Sequence, residues 1–246
     1  MPDPREVIWI IGASEGIGAA LAQTWSKTGA RLIISARAAQ RLDILSDTLG
    51  ADTVVLPLDV TDRDSLDAAV QALASIGPVD RIVHLAAAYD PGKVEEIDPD
   101  RAAMIVTTNL TGSFNIAQLA PRVLRAGGQL ALCGSVAGYF GLPQGQIYSA
   151  TKAGVMNLAQ TLRAEWHGRF DVRLISPGFV DTRLTQRNDF NMPAMIPPDV
   201  AAHKIIQGLN ASRFEVHFPR RLTLVLKALR LLPYSISLPL TRRLTR

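Results

Sequence analysis

Short apolar runs alternate along the chain with longer segments whose apolar residues recur at helical spacing. The runs span residues 7–11, 32–35, 53–56, 81–85, 129–133, 172–175 and 214–218, and they predict seven β-strands. Because each run is apolar throughout, both faces of each strand are expected to be buried, as in a parallel sheet covered by helices. The pattern predicts a doubly wound, Rossmann-type α/β fold, with helices on both faces and residues 1–246 in a single domain.

Composition changes this picture little. Of 246 residues, 48% are hydrophobic and 20% are charged, as in ordinary globular proteins. The single cysteine, Cys133, excludes an intrachain disulfide and agrees with a reducing compartment. The first ten residues lack the pattern of a secretion signal, and no apolar stretch reaches the ~20 residues that span a bilayer. We therefore expect a cytoplasmic location.

The net charge of +4 is unevenly distributed. Residues 216–246 hold seven basic side chains and no acid, so the rest of the chain carries −3. The body shows no interleaving of basic and aromatic residues, and nucleic acid is not expected as a partner. Residues 219–246 form a basic, apolar extension in which Thr223, Lys227 and Arg230 share a narrow polar stripe. It either lies peripherally on an anionic membrane or packs on a sister subunit or the body, and we favour packing.

A glycine-rich loop, residues 12–18 (GASEGIG), joins the first predicted strand to a helix. Gly12 allows a tight turn, while Gly16 and Gly18 allow a ligand to approach the helix start. Free N–H groups at a helix N-terminus favour an anion such as a pyrophosphate. The G-x-x-x-G-x-G spacing differs from the commoner G-x-G-x-x-G, and an ordinary glycine-rich turn is the alternative. Its place in the first βαβ unit favours dinucleotide binding.

The second predicted strand ends in Ala36 and Arg37, at the point where a Rossmann fold meets the adenosine ribose. An acid there would bind the 2′-hydroxyl of NAD(H), whereas a guanidinium suits the 2′-phosphate of NADP(H). We therefore favour NADP(H), with Arg41 as a second basic candidate and NAD(H) as the alternative. Arg37 could instead face solvent only, and Glu15 in the loop adds opposing negative charge.

The third predicted strand is followed by Asp59, Val60 and Thr61. Either Asp59 or Thr61 could cap the next helix. We expect Thr61 to be the cap and Asp59 to contact the adenine.

Tyr148 and Lys152 are separated by one helical turn at the start of a predicted helix, residues 148–166. A phenol has an unperturbed pKa of ~10, and a neighbouring ammonium stabilises the phenolate and lowers that pKa. Tyr148 could then exchange a proton with a substrate oxygen while hydride moves. A surface pair of no function is the alternative.

Two further polar residues belong to this hypothesis. Ser135 follows the fifth predicted strand, at the sheet edge where doubly wound folds bind ligands, although it could be a simple turn residue. Asn109 lies inside a predicted long helix, where an amide is a poor helix former, so we expect a polar role or a local kink.

Together these motifs resemble the short-chain dehydrogenase/reductase family over nearly the whole chain. The matching segments, in family order and spacing, are residues 12–18, 58–60 (LDV), 109–112 (NLTG), 134–135 (GS), 148–152 (YSATK) and 177–182 (PGFVDT). The resemblance implies a catalytic tetrad of Asn109, Ser135, Tyr148 and Lys152. In it the tyrosine is the acid/base, the serine positions the substrate, the lysine binds the nicotinamide ribose and the asparagine holds a water.

The resemblance also implies a cofactor site, a lid and an oligomer, either a homodimer or a homotetramer. No metal is expected. We expect a lid at residues 183–198 that, with the segment after Ser135, encloses a mostly apolar substrate pocket, unless these residues are core or oligomer contacts. The pocket residues would be Leu184, Phe190, Met192, Met195, Ile196, Val136, Tyr139, Phe140 and Leu142. The cofactor would contact Gly12, Ser14, Glu15, Gly16, Ile17, Gly18, Arg37, Asp59, Val60, Ala86, Ala87, Tyr148, Lys152, Pro177, Val180 and Thr182.

Two departures from the family pattern concern neighbouring strands. Ile11 stands where threonine is usual, and His84-Leu85-Ala86-Ala87 stands where Asn-Asn-Ala-Gly is usual. We interpret Ile11 and Leu85 as one coordinated change from a polar to an apolar contact. His84 is expected to be a hydrogen-bonded strand residue without a catalytic role.

The sequence thus predicts an NADP(H)-dependent oxidoreductase that interconverts a carbonyl and an alcohol on a small, hydrophobic substrate. The alternative is a sensor or scaffold that binds NADP(H) without turnover. Nucleotide-sugar epimerisation, which uses a similar tyrosine and lysine, is disfavoured because the chain lacks a large C-terminal substrate domain.

Overall fold

The computed structural model describes residues 5–188 and 192–241. Its strands form one parallel sheet in the order β3-β2-β1-β4-β5-β6-β7, which confirms the predicted fold class. The strands are β1 (Val7–Ile11), β2 (Arg31–Ser35), β3 (Val54–Val55), β4 (Val79–His84), β5 (Leu124–Cys133), β6 (Asp171–Pro177) and β7 (Glu215–Phe218). β3 is shorter than predicted because only two of its residues pair with β2.

Helices cover both faces of this sheet. They are α1 (Gly16–Ser26), α2 (Ala39–Leu49), α3 (Arg63–Ile76), α4 (Pro99–Val106), α5 (Gly112–Val123), α6 (Gln146–Glu165), α7 (Pro198–Leu209), α8 (Arg220–Leu231) and α9 (Tyr234–Thr241). A π-helical turn (Thr107–Thr111) joins α4 to α5. Across residues 5–188 and 192–241, none of the helices has both the length and the apolar character needed to cross a bilayer.

Alternating side chains of the central strand fill two separate cores. On β1, Trp9 and Ile11 pack with α3, α5, α6 and α8, whereas Ile8 and Ile10 pack with α1, α2 and α7. All four side chains are fully buried. A strand with period-two side chains and two apolar faces must be covered on both sides, which explains the three-layer architecture.

The sheet order places a crevice at the carboxyl ends of β1 and β4. The chain runs outward from β1 to β2 and β3, and then returns to β4 on the other side of β1. The connections that leave β1 and β4 therefore diverge, and such a switch point is where open α/β sheets bind ligands.

Two local expectations are wrong. Asp62, not Thr61, caps α3, because its carboxylate accepts from the backbone N–H of Asp64 while the Thr61 hydroxyl donates to Asp59. Ile11 and Leu85 do not form one apolar contact. Ile11 belongs to one core and Leu85 packs against the other, because successive side chains of β4 and its extension point to opposite faces.

The C-terminal extension packs on the body, as we favoured, but two of the three residues of its polar stripe face inward, while Arg230 is exposed. Thr223 is fully buried and hydrogen-bonds to His217, and Lys227 forms an ion pair with Glu215. The opposite side of α8 is therefore the one presented outward.

Candidate active site

Two glycines of the loop occupy positions where a side chain does not fit. Gly12 has a φ of +92°, and a Cβ on it would lie 2.5 Å from the backbone nitrogen of Ala86. A Cβ on Gly18 would lie 2.1 Å from the carbonyl oxygen of Gly12. α1 begins at Gly16, and the side chain of its N-cap residue, Glu15, makes no capping hydrogen bond. The loop is therefore a close-packed cradle with free backbone donors, which suits the pyrophosphate of a dinucleotide.

Ser35, the last residue of β2, fixes this cradle. Its carbonyl oxygen accepts from the backbone N–H groups of Gly12 (2.7 Å) and Ala13 (3.0 Å). Its buried hydroxyl accepts from Trp9 Nε1 at 2.8 Å. The glycine loop is thus attached directly to the strand end that precedes Arg37.

Basic side chains surround the predicted ribose corner. Arg37 directly follows Ala36, and among residues 5–188 and 192–241 it forms no ion pair. Arg41 is paired with Glu15 at 2.8 Å, and Arg183 lies 3.6 Å from the same carboxylate. The single carboxylate of Glu15 is thus shared by two guanidinium groups, whereas Arg37, which has no ion pair in the described part of the chain, is available to meet an anion.

Three members of the predicted tetrad meet at the carboxyl end of β5. Tyr148 and Ser135 border the same cleft, and the Ser135 hydroxyl accepts from the Ala137 N–H at 3.1 Å. Lys152 lies with its Nζ 5.6 Å from the centre of the Tyr148 ring and donates to the Cys133 carbonyl at 2.8 Å. α6 brings the phenol and the ammonium to one face because they are one turn apart.

The pKa of Tyr148 is not lowered as expected. Burial raises the pKa well above its usual range, the nearby Cys133 thiol adds to this effect, and the Ser135 hydroxyl opposes it. Burial also lowers the pKa of Lys152. Lys152 donates to the backbone of Cys133 and not to the phenol oxygen, so its charge does not offset the effect of burial on the phenol of the free protein. Tyr148 is accordingly held as a neutral phenol that carries its proton.

Asn109 does not line the cleft. It lies in the π-helical turn, so the expected long helix is interrupted at this residue. Its carboxamide is buried, accepts from the Ala88 N–H (2.7 Å), and donates to the Ala88 carbonyl (3.0 Å) and to Thr151 (3.1 Å). Asn109 thus ties the segment after β4 to α6, one residue before Lys152.

His84 lies in the strand, but it is not satisfied as expected. It is 1% exposed, and neither ring nitrogen has a hydrogen-bond partner within the described part of the chain. Burial, together with the charge of Lys152, lowers the pKa of His84 to about 3. The imidazole is therefore neutral near pH 7.

The substrate side of the cleft contains polar residues that sequence reasoning missed. The Tyr89 ring packs edge-on against Tyr148, with centroids 4.7 Å apart. The Tyr89 hydroxyl donates to Asn188 (2.5 Å), and Arg187 donates to the Tyr89 carbonyl (2.9 Å). Arg187 also lies 3.9 Å from Asp90. Spacing along the chain could not reveal these contacts, because they join residues about a hundred positions apart.

The expected apolar pocket is only partly present. Leu184 lines the cleft, but Val136 and Tyr139 are buried in the core. Ile196 pairs with Val180 and packs against the other core. Phe140, Leu142, Met192 and Met195 are not among the cleft residues, and Phe190 lies outside the described residues. The Ser135 segment returns to the body after one turn, and this return explains why its large side chains point inward.

One cleft of about 620 Å³ joins the glycine cradle, the Arg37 corner and Tyr148. Apart from Asn109, every predicted catalytic or cofactor residue borders it. They are Gly12, Ser14, Glu15, Gly16, Ile17, Gly18, Arg37, Asp59, Val60, Ala86, Ala87, Ser135, Tyr148, Lys152, Pro177, Val180 and Thr182. The arrangement joins a phosphate cradle to a half-buried phenol, and it can deliver a proton beside a bound dinucleotide.

Comparisons with known proteins point in the same direction. A family model described as short chain dehydrogenase matches residues 6–192. An uncharacterized oxidoreductase of Myxococcus xanthus is 31% identical over 242 residues, covering 96% of each chain. The 3-oxoacyl-[acyl-carrier-protein] reductase of Escherichia coli is 29% identical, covering 81% of this chain and 84% of that protein.

Solved structures share the architecture. An alcohol dehydrogenase from Thermococcus sibiricus, complexed with 5-hydroxy-NADP, superimposes with a TM-score of 0.78 at 26% identity, covering 87% of this chain and 96% of that one. A Burkholderia phymatum protein in complex with NAD gives a TM-score of 0.81 at 22% identity, covering 91% and 92% of the two chains. The second likeness concerns the fold alone.

Proposed function

Because the chain belongs to the short chain dehydrogenase family, we propose that it is an NADP(H)-dependent enzyme that interconverts a carbonyl and an alcohol. It is an oxidoreductase of that family. One observation supports the proposed interconversion of a carbonyl and an alcohol with a dinucleotide. Tyr148, Ser135 and Lys152 border the same cleft as the glycine cradle, so a proton donor stands beside the place where a dinucleotide fits.

The residues of the cleft divide the reaction between them. When bound, the nicotinamide ring supplies or accepts the hydride. In the reducing direction Ser135 positions the carbonyl oxygen, and the Tyr148 hydroxyl gives that oxygen its proton as the carbon gains hydride. The charge left on the phenol is offset by the ammonium of Lys152, whose Nζ lies 5.6 Å from the ring centre. Asn109 acts at a distance, by holding the backbone of Ala88 and the hydroxyl of Thr151.

The state of Tyr148 supports reduction as the direction that the site is prepared for. Burial raises the pKa of the phenol, so the free enzyme holds the proton that a carbonyl must receive. In the oxidising direction, the same phenol must first lose that proton. We therefore propose that the enzyme is a reductase that also oxidises the alcohol at high pH.

The choice of NADP(H) rests on Arg37. No acid follows Ala36 at the end of β2, and Arg37 has no ion-pair partner among the described residues, whereas Arg41 is paired with Glu15. A planar, permanently charged side chain is suited to a 2′-phosphate. An Arg37→Ala variant should bind NADPH about tenfold more weakly in a fluorescence titration while its NADH affinity stays unchanged. Equal losses for both nucleotides would contradict this assignment.

The substrate that we propose has an apolar body with a polar end. Leu85, Met104 and Leu184 give the cleft apolar walls, whereas Asp90 and Arg187 stand at its rim. The exposed Phe114 on α5 offers an apolar contact for a homodimer or homotetramer, which sedimentation velocity would detect.

Removing the phenol hydroxyl tests the chemistry. A Tyr148→Phe variant should lose about 10²–10⁴-fold in kcat on a panel of ketones and aldehydes, because it lacks the hydroxyl that we propose as the proton donor. Its NADPH affinity should remain, and this distinguishes lost chemistry from lost folding. Tyr234→Phe, at an exposed position, is the matched control. If Tyr148→Phe kept full activity, or if the wild type turned over no carbonyl while binding NADPH, the sensor alternative would replace the enzyme.

A further inference from the structure

Large hydrophobic side chains are concentrated on the outer side of the C-terminal helices. Of the fourteen that are exposed in the described part of the chain, eight lie on or beside α8 and α9. They are Leu224, Val225, Leu231, Leu232, Tyr234, Ile236, Leu238 and Leu240. We call these eight residues the apolar face. Leu231 is 87% exposed and Tyr234 is 75% exposed, so their side chains stand almost entirely in solvent.

Polar contacts hold α8 with this face turned outward. Lys227 Nζ lies 2.5 Å from the carboxylate of Glu215, and the Thr223 hydroxyl lies 2.7 Å from His217 Nδ1. Leu226 and Leu229, on the same side as these residues, are buried in the core. Residues 224, 225, 228, 231 and 232 lie on the opposite side of the helix. The contacts of the inner side with the body therefore hold these five residues facing outward.

The charged residues of α8, which carries part of the apolar face, are all basic. Arg220, Arg221 and Arg230 are exposed on α8. Residues 216–246 contain no acid, and the nearest one, Glu215, is already neutralised by Lys227. In the sequence three more arginines follow at 242, 243 and 246, outside the described residues. The rest of the chain, by contrast, has a net negative charge.

We propose that the apolar face docks onto the surface of an anionic lipid bilayer. Exposed leucines and a tyrosine enter the boundary between headgroups and acyl chains, while Arg220, Arg221 and Arg230 meet the lipid phosphates. α8 has 12 residues and α9 has eight, so each lies along the surface without crossing it. This inference does not depend on the proposed hydride transfer.

A second copy of the chain fits the same face less well. In a two-fold dimer each patch meets its own copy, and like charges then confront each other along the rim. Arg220, Arg221 and Arg230 would have no carboxylate opposite them, because this face carries none. An anionic bilayer supplies the missing negative charge and also accepts the leucines, which is the reason for preferring lipid.

Co-sedimentation of the full-length protein with vesicles tests the proposal. The wild type should bind vesicles of 70% phosphatidylcholine and 30% phosphatidylglycerol at low salt, and lose that binding with pure phosphatidylcholine or at high ionic strength. A Leu231→Ser variant should partition about tenfold more weakly, because one leucine no longer enters the lipid. Arg221→Gln should weaken partitioning about fivefold.

Matched controls separate this face from the rest of the surface. Ile44 on α2 is 69% exposed, so Ile44→Ser removes an equally accessible apolar side chain elsewhere. Arg63→Gln removes an exposed charge on α3. Neither should change partitioning, and none of the four variants should lower the melting temperature by more than a few degrees. Failure of the wild type to bind, or equal binding to neutral vesicles, would overturn the proposal. So would a Leu231→Ser variant that dissociates an oligomer without altering vesicle binding, since a second copy would then cover the face.

Discussion

Replacing His84 with asparagine should make folding less sensitive to acid. The imidazole is buried without a hydrogen-bond partner among the described residues, and burial next to Lys152 lowers its pKa from 6.5 to about 3. In the unfolded chain the same group titrates near 6.5. Between these two values the unfolded state binds one proton that the folded state does not, so the His84 contribution is present above pH 6.5 and is lost as the pH falls.

The size of the effect follows from the two pKa values. For each pH unit below 6.5, protonation of His84 in the unfolded chain lowers the unfolding free energy by about 1.4 kcal/mol. At pH 5 the cost is about 2 kcal/mol, and at pH 3 it approaches about 5 kcal/mol. Asparagine is similar in size and does not titrate, so the His84→Asn variant should lack this loss whatever its stability at pH 7.

Urea unfolding at pH 7, 6 and 5 measures the difference. Trp9 and Trp25 are buried, so their fluorescence reports the transition. The titration of carboxylates changes the unfolding free energy of the wild type and of His84→Asn equally, so it cancels when the two proteins are compared. His203→Asn, at an exposed position on α7, is the control and should follow the wild type. If the wild type and His84→Asn lost stability in parallel between pH 7 and 5, the imidazole would not be buried as the structure places it.

Three further predictions concern the cleft and its supports. A Gly18→Ala change puts a Cβ 2.1 Å from the Gly12 carbonyl oxygen. NADPH binding, measured by fluorescence titration, should therefore weaken at least about tenfold. Gly141→Ala, which adds a Cβ in open space, should not change NADPH binding. Burial opposes ionisation of Glu215, but hydrogen bonds from Lys227, Tyr139 and Ser176 outweigh it and lower its pKa. The stability that ionised Glu215 contributes is present above the usual glutamate pKa and is lost in acid. Glu215→Gln should therefore lower the unfolding free energy by about 1–3 kcal/mol at pH 7 and by less at pH 4, as measured by urea unfolding. Asn109→Ala should cost about 1–3 kcal/mol because it leaves the Ala88 N–H without its partner, and thermal unfolding would show a lower melting temperature.

The sheet could be predicted because the signal is local and strong. Each strand is a short run of apolar residues, and burial on both faces leaves little choice but a parallel sheet with two helical layers. The glycine cradle was equally visible, since no side chain fits at Gly12 or Gly18. Such constraints act within a few residues, and sequence patterns record them directly.

The parts that could not be predicted depend on contacts across the fold. Tyr89 reaches the site only because Asn188 and Arg187 hold its loop from the far side of the cleft. His84 looks like any strand histidine until its neighbours leave both ring nitrogens without partners in the described structure. The outward face of α8 was also hidden, because helical spacing shows that two sides exist but not which of them meets the body.

Ser35 has a consequence for how the cofactor preference of this enzyme could change. Its backbone anchors the phosphate cradle, and the side chain that would select the nucleotide begins only two positions later. Arg37 can therefore be exchanged without disturbing the anchor, so mutation or design could convert the enzyme between the two nucleotides in few steps. A substitution at Ser35 would remove the buried hydroxyl that accepts from Trp9 Nε1, and directed-evolution libraries should leave that residue fixed.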